Sequence, residues 1–503
     1  MKPKPITATT LVWLQRCARR IWLDRHGDAA QRVATDPVLQ HQIARGHAHE
    51  EAIVAAQFAQ RHPLVATAWP ELVAETLAAM QSGVPALHQG ALEVQAHDDM
   101  ILCGSPDLLF RVEQPSQLGA WSYAPVEIKL HREPRPDDQL QLAFYRWMLG
   151  MLQGNVPEGE LWLGFDAATH QPLQKVRQTK PPHVQPWLDL LTTVRTGDEA
   201  PINFSRQCSY CHWRNACEQE ATQRQDIALL GQLDRRTAAA LRKAGLTNLA
   251  ALVQLTAEQL AAYPHVGPKR AVQLLSHAHA LLRGAPYPHS AAAMRLPPAA
   301  LFLDIESHPV TQMPWAFGWM DASGQRGSFV VVPQRPRQAP ARLDIAGSSV
   351  SFVPDAAAGW QALAALVAAQ EGVIIHWGHY ERQMLQQDAT PSVQDALSER
   401  MIDLQRKITQ AYSFPIARGA GNGATTLKAI GGYLGYTWPA AANWAAAWDA
   451  YHQWCQQLAT VRTQQQPWAD AIDTTLADGL AYLMSDVVAL HGVWQWLQNN
   501  AAA

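Results

Sequence analysis

The alternation of apolar and polar residues predicts a mixed α/β region in the first part of the chain. Residues 37–60 place apolar residues at helical spacing, whereas residues 101–112 and 124–130 have the apolar, β-branched character of strands. Helical spacing returns in DQLQLAFYRWMLGML, residues 138–152. Strands flanked by helices in this order predict an α/β domain over residues 1–225.

A second region, from Leu233 to Leu282, is helical in pattern with short breaks at Ala244-Gly245 and at residues 264–267. Glycine and proline at such breaks indicate tight turns between short helices. We therefore predict a small all-α domain at residues 226–286.

The third region follows residues 283–300, which are rich in proline and alanine and have no apolar periodicity. We expect a linker at residues 287–300 and a second α/β domain at residues 301–503. Strand-like runs, LFLDIES, GSFVVVP and GVIIHWG, are followed there by long Trp- and Ala-rich helical stretches. This is the order of a sheet with covering helices, so the predicted fold class is α/β with several domains.

Composition supports globular domains and gives each region a different charge. The chain has 503 residues, of which 48% are hydrophobic and 17% charged, which is enough for about two to four packed cores. Taken for the whole chain, the formal net charge of −3 argues against a strongly basic nucleic-acid binder. Residues 226–300, however, carry eight Lys and Arg against three Asp and Glu, so a basic segment lies between two acidic ones.

Nothing in the sequence indicates secretion or membrane insertion. The start, MKPKPITATTLVWLQRCARR, has no long apolar segment, and no run reaches eighteen apolar residues. The six cysteines are unevenly clustered, which favours a metal or cluster site in a reducing compartment over a disulfide framework. We predict a cytoplasmic protein without a membrane partner.

Two acidic residues and a lysine form the first candidate site. Glu127 and Lys129 are two residues apart in VEIKL, so on a strand both side chains leave the same face of the sheet. Asp107 follows a Gly-Ser-Pro turn and adds a second carboxylate at that sheet edge. Two carboxylates suit Mg²⁺ or Mn²⁺, and a nearby ammonium orients a water or stabilises charge on a phosphate. Taken alone, an E-x-K strand is more typical of a solvated cross-strand ion pair.

The combined motifs resemble the RecB-like members of the PD-(D/E)XK nuclease superfamily. Ser105-Pro106-Asp107 matches the first motif and Glu127-Ile128-Lys129 the second. Gln141 and Tyr145, in QLAFY, match the QxxxY motif of these nucleases and share one helix face. The resemblance implies a restriction-endonuclease-like fold in which both acids hold metal and Lys129 assists the water. It also implies that Gln141 and Tyr145 position the strand.

An upstream segment, Gly46-His47-Ala48-His49-Glu50, resembles the GxxHE segment of the same nucleases. The histidine of that segment is an additional metal ligand in those proteins, so the resemblance implies that role for His49. His47 is interpreted as a surface residue.

A candidate metal-binding loop in CSYCHWRNAC has three cysteines: Cys208, Cys211 and Cys217. Three thiolates form a soft ligand set that needs a fourth member. Cys17 is the best candidate, because Cys103 adjoins the predicted active-site strand and Cys455 lies in the other terminal domain. Four thiolates accept either Zn²⁺ or a [4Fe–4S] cluster, and spacing does not choose between them.

A resemblance favours the cluster. RecB-like nucleases of the iron–sulfur type carry one early cysteine and a terminal cysteine group around the same fold. This implies a [4Fe–4S] cluster held by Cys17, Cys208, Cys211 and Cys217. Zinc is the alternative, with His212 as a further candidate ligand, and an unrelated buried cysteine stays open for Cys17.

The basic central segment contains a candidate phosphate-binding turn. Val266 and Gly267 form the turn, Pro268 stands at the first helical position, and Lys269 and Arg270 follow. Backbone N–H groups at such a helix start bind phosphate, and two cations reinforce the binding. The segment resembles the helix-hairpin-helix motif, which implies DNA binding by Val266, Gly267, Lys269 and Arg270.

The same segment departs from the motif at one position, because His265 takes the place of its first glycine. The upstream run LRKAGLTNLAALVQL is interpreted as a related half. An ordinary small helical linker domain is the alternative.

A second set of carboxylates lies in the C-terminal region. Asp304 and Glu306 are two apart on the LFLDIES strand, and Tyr482 and Asp486 are four apart on the final helix. Each pair therefore shares one face of its element. Three converging carboxylates with a phenol form the ligand set of two-metal phosphodiester hydrolysis, with metals about 3.5–4 Å apart.

This pattern resembles the DEDD exonucleases on an RNase H-like fold, specifically the YxxxD subgroup and its YprB-type branch. TTLKAIGGYLGY, residues 425–436, and residues 401–404 match further segments of that branch. The resemblance implies that Tyr482 aids the nucleophile and that four acids hold metals: Asp304, Glu306, Glu381 and Asp486.

Glu381 is a departure, since the second DEDD motif normally supplies an aspartate after an aromatic residue. Asp403 is interpreted as an acid that supports the ligands or partly substitutes for one of them. Most of the tryptophans in this region are predicted to be core residues, and Trp377 is the one candidate for base stacking.

Together the motifs resemble RecB-like nucleases that join an iron–sulfur PD-(D/E)XK domain to an RNase H-like domain. The resemblance implies a metal-dependent DNA nuclease, using Mg²⁺ or Mn²⁺ on single strands or ends, in repair, recombination or defence. It is compatible with a helicase partner. Two alternatives stay open: a nucleic-acid-binding scaffold with a degenerate site, which Glu381 favours, and an RNA-processing exonuclease.

Overall fold

A computed structural model gives the structure of the protein. It describes residues 5–34, 37–58, 61–97, 100–166, 169, 171–289, 296–308, 312–332, 342–345, 347–368, 370–419, 423–439, 444–464 and 470–501. These residues form two compact units, the N-terminal unit Met1–Gln223 and the C-terminal unit Arg224–Ala503.

The N-terminal unit alternates helices and strands as the sequence predicts. Its helices are α1 (Ala8–Arg16), α2 (Ala18–His26), α3 (Pro37–Gln57), α4 (Trp69–Gln81), α5 (Pro136–Gln153), α6 (Gln185–Thr196) and α7 (Arg214–Arg224). Its strands are β1 (Ala86–His88), β2 (Leu92–His97), β3 (Met100–Gly104), β4 (Leu108–Val112), β5 (Ser122–Lys129), β6 (Gly159–Phe165) and β7 (Pro172–Gln178).

Five of these strands form one sheet in the order β1-β4-β5-β6-β7, and β2 pairs with β3 separately. β5 is central: it runs antiparallel to β4 and parallel to β6. Its residues are buried from Ser122 to Ile128, as is usual for a strand covered on both faces. Helix α5 packs on β5 and β6 and contacts α1, so the sheet edge that carries Glu127 and Lys129 is held on a rigid frame.

The C-terminal unit begins with short helices and continues as a sheet with covering helices. Its helices are α8 (Arg235–Lys243), α9 (Leu249–Leu252), α10 (Ala257–Ala261), α11 (Gly267–Arg283), α12 (Ala356–Ala368), α13 (Tyr380–Asp388), α14 (Pro391–Ser398), α15 (Leu404–Ala411), α16 (Leu427–Tyr433), α17 (Trp444–Gln464) and α18 (Asp470–Ala501). Its strands are β8 (Tyr287–Pro288), β9 (Ala299–Ser307), β10 (Pro314–Asp321), β11 (Arg326–Val331), β12 (Arg342–Ile345), β13 (Ser348–Val353), β14 (Val373–His376), β15 (Met401–Asp403) and β16 (Tyr412–Ser413).

Seven strands form a sheet in the order β12-β13-β11-β10-β9-β14-β15. β9, β10 and β11 are antiparallel neighbours, whereas β14 is parallel to both β9 and β15. Helix α18 crosses β9 and β10. A Cβ at Gly318 would lie 2.6 Å from Leu483 Cγ, so the absence of a side chain there lets the helix approach the sheet.

The short helices α8–α11 belong to the same unit as this sheet. Gly245 and Gly267 have φ values of +83° and +69°, which glycine adopts readily, and they form the turns after α8 and before α11. Arg418 donates from its backbone N–H to Leu229 O and from Nη1 to Leu233 O, at 2.7 Å each. The helical segment is thus hydrogen-bonded to the chain that follows the sheet.

The segment interpreted as a linker, residues 287–300, contains paired backbone. β8 lies within it and pairs antiparallel with β16, and β9 begins at Ala299. Residues 290–295 of the segment lie outside the described part of the chain.

Among the described residues, Thr474–Asn500 in α18 is the one segment long and apolar enough to cross a membrane by length and composition. Of its most apolar window, 67% is buried inside the protein. A core helix of a soluble protein has the same properties, and the burial of α18 against the sheet accounts for its composition.

Candidate active sites and cysteine cluster

The pairing of β4 with β5 brings Asp107 to Glu127. Leu108 is the partner of Val126 in this antiparallel pair, so Asp107, which directly precedes β4, lies beside the end of β5. The backbone N–H of Ile128 donates to Asp107 Oδ2 at 2.7 Å, and the Asp107 N–H lies 3.4 Å from Glu127 Oε1. These backbone contacts fix both carboxylates independently of any side-chain partner.

Lys129 supplies the positive charge between the two acids. Its Nζ donates to Glu127 Oε2 at 2.7 Å and lies 3.6 Å from Asp107 Oδ2. Burial raises the pKa of Glu127 to about 8, and the neighbouring Asp107 carboxylate adds to the rise. Burial by itself would lower the pKa of Lys129, but the two carboxylates more than offset it and raise this pKa. Two buried carboxylates share one ammonium here, which leaves an excess of negative charge for a divalent cation.

Gln141 and Tyr145 on α5 face the same site. Their side chains are hydrogen-bonded to each other, and burial followed by the Glu127 carboxylate raises the pKa of Tyr145. A Cβ at Gly104 would lie 2.8 Å from Tyr145 Cε1, so this glycine makes room for the ring. The phenol therefore stays protonated beside the acids and can donate a hydrogen bond.

Glu50 is a residue of this site that the sequence reasoning missed. Its side chain is 7% exposed, and Oε1 accepts hydrogen bonds from His88 Nε2 and Gln89 Nε2, both at 2.9 Å. Burial raises the pKa of Asp107, Lys129 opposes this, and the Glu50 carboxylate adds to the rise. The Glu50 carboxylate is therefore near enough to act on the charge of Asp107.

His49 packs against the end of β6. Its ring lies edge-on against Phe165, with centroids 4.6 Å apart. Among the described residues, His49 does not join Asp107 and Glu127 in a group with ligand atoms within 4.8 Å of one another. Glu50 does not join Asp107 and Glu127 in such a group of described residues either.

The order of these elements and the acid–acid–lysine geometry agree with one family. Residues 5–218 match the family model of the PD-(D/E)XK nuclease superfamily. No curated protein and no solved structure matches the chain. The match lies within the N-terminal unit and contains Asp107, Glu127 and Lys129, so residues 5–218 are similar to a domain of the PD-(D/E)XK nuclease superfamily.

Four of the five cysteines of the N-terminal unit, Cys17, Cys208, Cys211 and Cys217, face a common space. Cys17 joins α1 to α2, and the other three lie in the segment before α7 and in its first turn. Burial raises the pKa of Cys217 to about 12, Arg19 opposes the rise, and the other three thiols add to it. The early cysteine and the late group therefore come together from opposite ends of the domain.

The spacing of these thiols is wider than that of a preformed zinc site. Among the described residues, no three of the four sulfur atoms lie within 4.8 Å of one another. Tetrahedral zinc, with Zn–S bonds of about 2.3 Å, holds its thiolates about 3.8 Å apart. In a [4Fe–4S] cluster each thiolate binds a different iron, which needs a wider frame. His212, the further candidate for zinc, donates from Nε2 to Asp24 Oδ1 at 2.8 Å instead.

Helix α2 is tied to the cysteine segment by buried polar contacts as well. Arg19, 3% exposed, pairs with Glu199 and Glu220 and donates to Ala200 O at 2.9 Å. Asp24 accepts a second hydrogen bond from Trp213 Nε1 at 2.8 Å. These contacts hold Cys17 against the late cysteines.

The C-terminal unit forms a second acidic site. Asp304 and Glu306 leave one face of β9, and α18 brings Asp486 to them. Among the described residues, these three are the group whose ligand atoms all lie within 4.8 Å of one another. Burial and the neighbouring carboxylates raise the pKa of Glu306 to about 8 and that of Asp486 to about 6. Such mutual repulsion is relieved by a proton or by a divalent cation.

Three side chains adjoin this trio. Trp438 Nε1 donates to Asp486 Oδ1 at 2.8 Å, and Tyr482 shares a hydrogen bond with Asp486. Lys428 Nζ lies 4.3 Å from the centroid of the Tyr482 ring. Its positive charge lowers the pKa of Glu306 and so offsets part of the rise caused by burial and by the other acids. Sequence reasoning missed Trp438, because this residue is far in sequence from the strand and the helix that carry the acids.

Glu381 lies near the trio but outside the 4.8 Å group. It is buried at the start of α13, where its carboxylate adds to the raised pKa of Glu306, and Oε2 is 3.3 Å from His376 Nδ1. Asp403 instead binds backbone, because its Oδ1 accepts from the N–H groups of Gly378 and Arg406, at 2.9 and 3.2 Å. Trp377 packs at the edge of the hydrophobic core.

The predicted DNA-binding turn contains one exposed cation, Lys269, and one cation that is held by hydrogen bonds, Arg270. Lys269 is exposed at the start of α11, beside buried Val266 and the positive-φ Gly267. Arg270 Nη1 donates to Asp234 Oδ2 at 2.6 Å, to Thr237 Oγ1 at 3.0 Å and to His265 O at 3.0 Å. In this arrangement Arg270 holds the hairpin together, and Lys269 is the side chain that projects to solvent.

The raised pKa of Glu306 gives the C-terminal unit a pH-dependent stability. A carboxyl whose pKa rises from 4.5 unfolded to about 8 folded stabilises the fold at low pH and loses this contribution as the pH rises through the folded value. Glutamine is a neutral replacement for the protonated acid. Metal-free Glu306→Gln protein should therefore melt above the wild type near pH 8 and close to it near pH 5.

Thermal unfolding in a chelator at both pH values measures this difference. Mn²⁺ should raise the melting temperature of the wild type more than that of Glu306→Gln, because the variant lacks one ligand. Glu399→Gln, at an exposed position, is the control and should follow the wild type. An equal offset between Glu306→Gln and wild type at both pH values would contradict the prediction.

Proposed function

We propose that this protein is a metal-dependent DNA exonuclease, acting on single strands or ends, with one active site in each unit. The observation that carries the proposal is the convergence of Asp107 and Glu127 on Lys129 inside a PD-(D/E)XK domain. A strand pair fixes the two acids, and the lysine is held beside both. This arrangement supplies the parts that phosphodiester hydrolysis requires.

In the N-terminal site, Asp107 and Glu127 would hold Mg²⁺ or Mn²⁺, and the buried Glu50 carboxylate adds negative charge that acts on Asp107. Bound metal supplies a nucleophilic water at neutral pH and charge stabilisation at the phosphate. The Lys129 ammonium orients that water and stabilises the negative charge that develops on the phosphate. Tyr145, protonated and hydrogen-bonded to Gln141, donates to the strand.

The strand order of the C-terminal unit supports an RNase H-like exonuclease domain. Three antiparallel strands, β9 to β11, adjoin two parallel strands, β14 and β15, and the acids lie on the central β9 and on α18. Asp304, Glu306 and Asp486 hold metal, and Tyr482 positions the water. Glu381, one methylene longer than the usual aspartate, completes the set from α13.

The thiol spacing supports a [4Fe–4S] cluster on Cys17, Cys208, Cys211 and Cys217. The cluster joins the first helices of the nuclease domain to its last segment. The hairpin turn supports DNA contact through Lys269 and the N–H groups beside Gly267, with Arg270 as the residue that shapes the turn. A role in repair, recombination or defence, a helicase partner and a cytoplasmic location follow from resemblance and composition.

A nucleic-acid-binding scaffold is the second candidate function for the C-terminal unit. It is favoured by the position of Glu381 outside the group formed by the other three acids. RNA processing is the third, because RNase H-like exonucleases act on either polymer.

End-labelled DNA and RNA incubated with Mn²⁺ separate these functions. Wild type, Lys129→Ala, Asp304→Ala and the double variant are compared, with Lys180→Ala and Glu399→Gln as exposed controls. Each single variant should lose one activity by about 10²-fold or more and keep the other, and the double variant should lose both. Cleavage of RNA alone would favour RNA processing. Asp304→Ala protein that cleaves like the wild type would favour a scaffold role for the C-terminal unit, and cleavage of neither polymer by the wild type would favour a scaffold role for both units.

A further inference from the structure

Two adjacent arginines on α2 differ sharply in their partners. Arg19 is surrounded by two carboxylates and a carbonyl. Arg20 is 14% exposed, and its Nε and Nη1 atoms are buried without a hydrogen-bond partner in the part of the chain that the structure describes. The nearest carboxylate oxygen, Asp24 Oδ2, is 3.9 Å from Nε, beyond hydrogen-bond distance.

The fold gives Arg20 a fixed position. Its guanidinium lies over the Trp13 ring, 3.5 Å from the centroid, as arginine stacks on aromatic faces. Asp24 is occupied by His212, Trp213 and Arg32, so it does not serve Arg20 alone. Buried guanidinium donors without acceptors lose the hydrogen bonds that they make to water, which destabilises the fold. A ligand that accepts hydrogen bonds and carries negative charge would remove that cost.

The charge of Arg20 is directed at the cysteines. It interacts electrostatically with Cys211 from the late group and with Cys17, which lies three residues earlier at the start of α2. Arg19 also interacts with a thiol, that of Cys217, but it is paired with two carboxylates. Arg20 is beside the thiols as well, and among the described residues its guanidinium has no carboxylate within hydrogen-bond distance.

We propose that Arg20 is a positioning residue for the [4Fe–4S] cluster, donating Nε–H and Nη1–H groups to its sulfur atoms and raising its reduction potential. This inference rests on the proposed cluster. The reduced cluster carries one more negative charge than the oxidised cluster, so a nearby cation stabilises the reduced form more. Hydrogen bonds to cluster sulfur and local charge are established determinants of cluster potential.

The test uses full-length protein purified without oxygen. Iron and sulfide content per chain is measured first, and the midpoint potential is then followed by electron paramagnetic resonance during redox titration. Arg20→Gln removes the charge, Arg20→Lys retains it, and Arg25→Gln is the matched control, since Arg25 is exposed on the same helix. The rate at which ferricyanide bleaches the visible absorption gives a second reading.

The expected results form one pattern. Arg20→Gln should keep its iron but have a more negative midpoint potential and bleach faster, because oxidation becomes easier. Arg20→Lys should lie between Arg20→Gln and wild type, and Arg25→Gln should equal wild type. A loaded Arg20→Gln protein with wild-type potential and bleaching rate would overturn the proposal. Wild-type protein without iron would instead overturn the cluster itself.

If the Arg20→Gln protein loses the cluster, the Arg20→Lys variant shows whether the missing charge or the missing packing is the cause. If Arg20→Lys keeps the iron, the charge is required and the proposal stands. If Arg20→Lys also loses iron while Arg25→Gln keeps it, Arg20 serves the packing on Trp13 and the proposal fails.

Discussion

Replacing Lys129 by methionine should lower the cleavage rate of the N-terminal site by about 10²–10³-fold, the effect of removing one preorganised charge donor from a transition state. Methionine retains the length of the buried stem and removes the ammonium that lies 2.7 Å from Glu127 and 3.6 Å from Asp107. Both carboxylates stay in place, because backbone N–H groups of Ile128 and Asp107 hold them. The loss should therefore appear in kcat more than in metal binding.

The measurement requires that the C-terminal site does not cleave DNA. The starting protein, called the parent, is therefore the full-length Asp304→Asn variant. Initial rates on end-labelled DNA are compared for the parent, the parent with Lys129→Met and the parent with Lys180→Met, an exposed control. Removing one partner of a buried ion pair costs about 3–5 kcal/mol, so folding is checked by thermal melting with Mn²⁺ present. A folded Lys129→Met protein that cleaves at the parent rate would remove Lys129 from the mechanism.

Replacing Cys211 by alanine should remove the iron and the colour of the protein and lower its melting temperature. Cys211 is buried against Leu23 and Trp213, where the early and late segments of the nuclease domain meet. Because the cluster ligands come from both ends of the domain, cluster binding adds to folding stability, as it does for structural metals. The melting temperature should therefore fall by more than it does when a small buried side chain is shortened.

The matched control is Cys103→Ala, which removes a buried thiol on β3 of the same domain. It should keep its iron and visible spectrum and lose only a modest part of the melting temperature. A Cys211→Ala protein that stays brown, retains its iron content and melts like Cys103→Ala would exclude Cys211 as a ligand.

The strands and the pairs on them could be predicted from short-range pattern. Glu127 and Lys129 share a face because side chains alternate along a strand, and Asp304 and Glu306 obey the same rule. Gln141 and Tyr145 meet because four residues make about one helical turn. For such pairs the local period alone determines the contact.

The environment of Glu50 could not be predicted in this way. Which side chains of α3 approach Asp107 depends on how the helix packs on the sheet. His88 and Gln89 hold Glu50 from a different strand end, and Gln89 has a positive φ of 50° there. A conformation that costs energy in a non-glycine residue persists only where the surrounding contacts enforce it.

Arg270 shows a second limit of sequence reasoning. A lysine and an arginine at a helix start predict phosphate binding equally, but Asp234, which lies 36 residues earlier, accepts a hydrogen bond from Arg270. Long-range ion pairs of this kind depend on the tertiary fold. The sequence therefore predicted the turn, and the fold separates the structural cation from the exposed one.

The partners of Arg19 also constrain how the protein is made. Arg19 is buried, yet Glu199, Ala200 and Glu220 follow it by 180, 181 and 201 residues. At a synthesis rate of about 5–20 residues per second, the ribosome needs about 10–40 s to deliver them. During that interval α2 and the neighbouring Cys17 cannot reach their final surroundings. The N-terminal unit must therefore complete its folding after translation of its last segment, and loading of the proposed cluster belongs to that late stage.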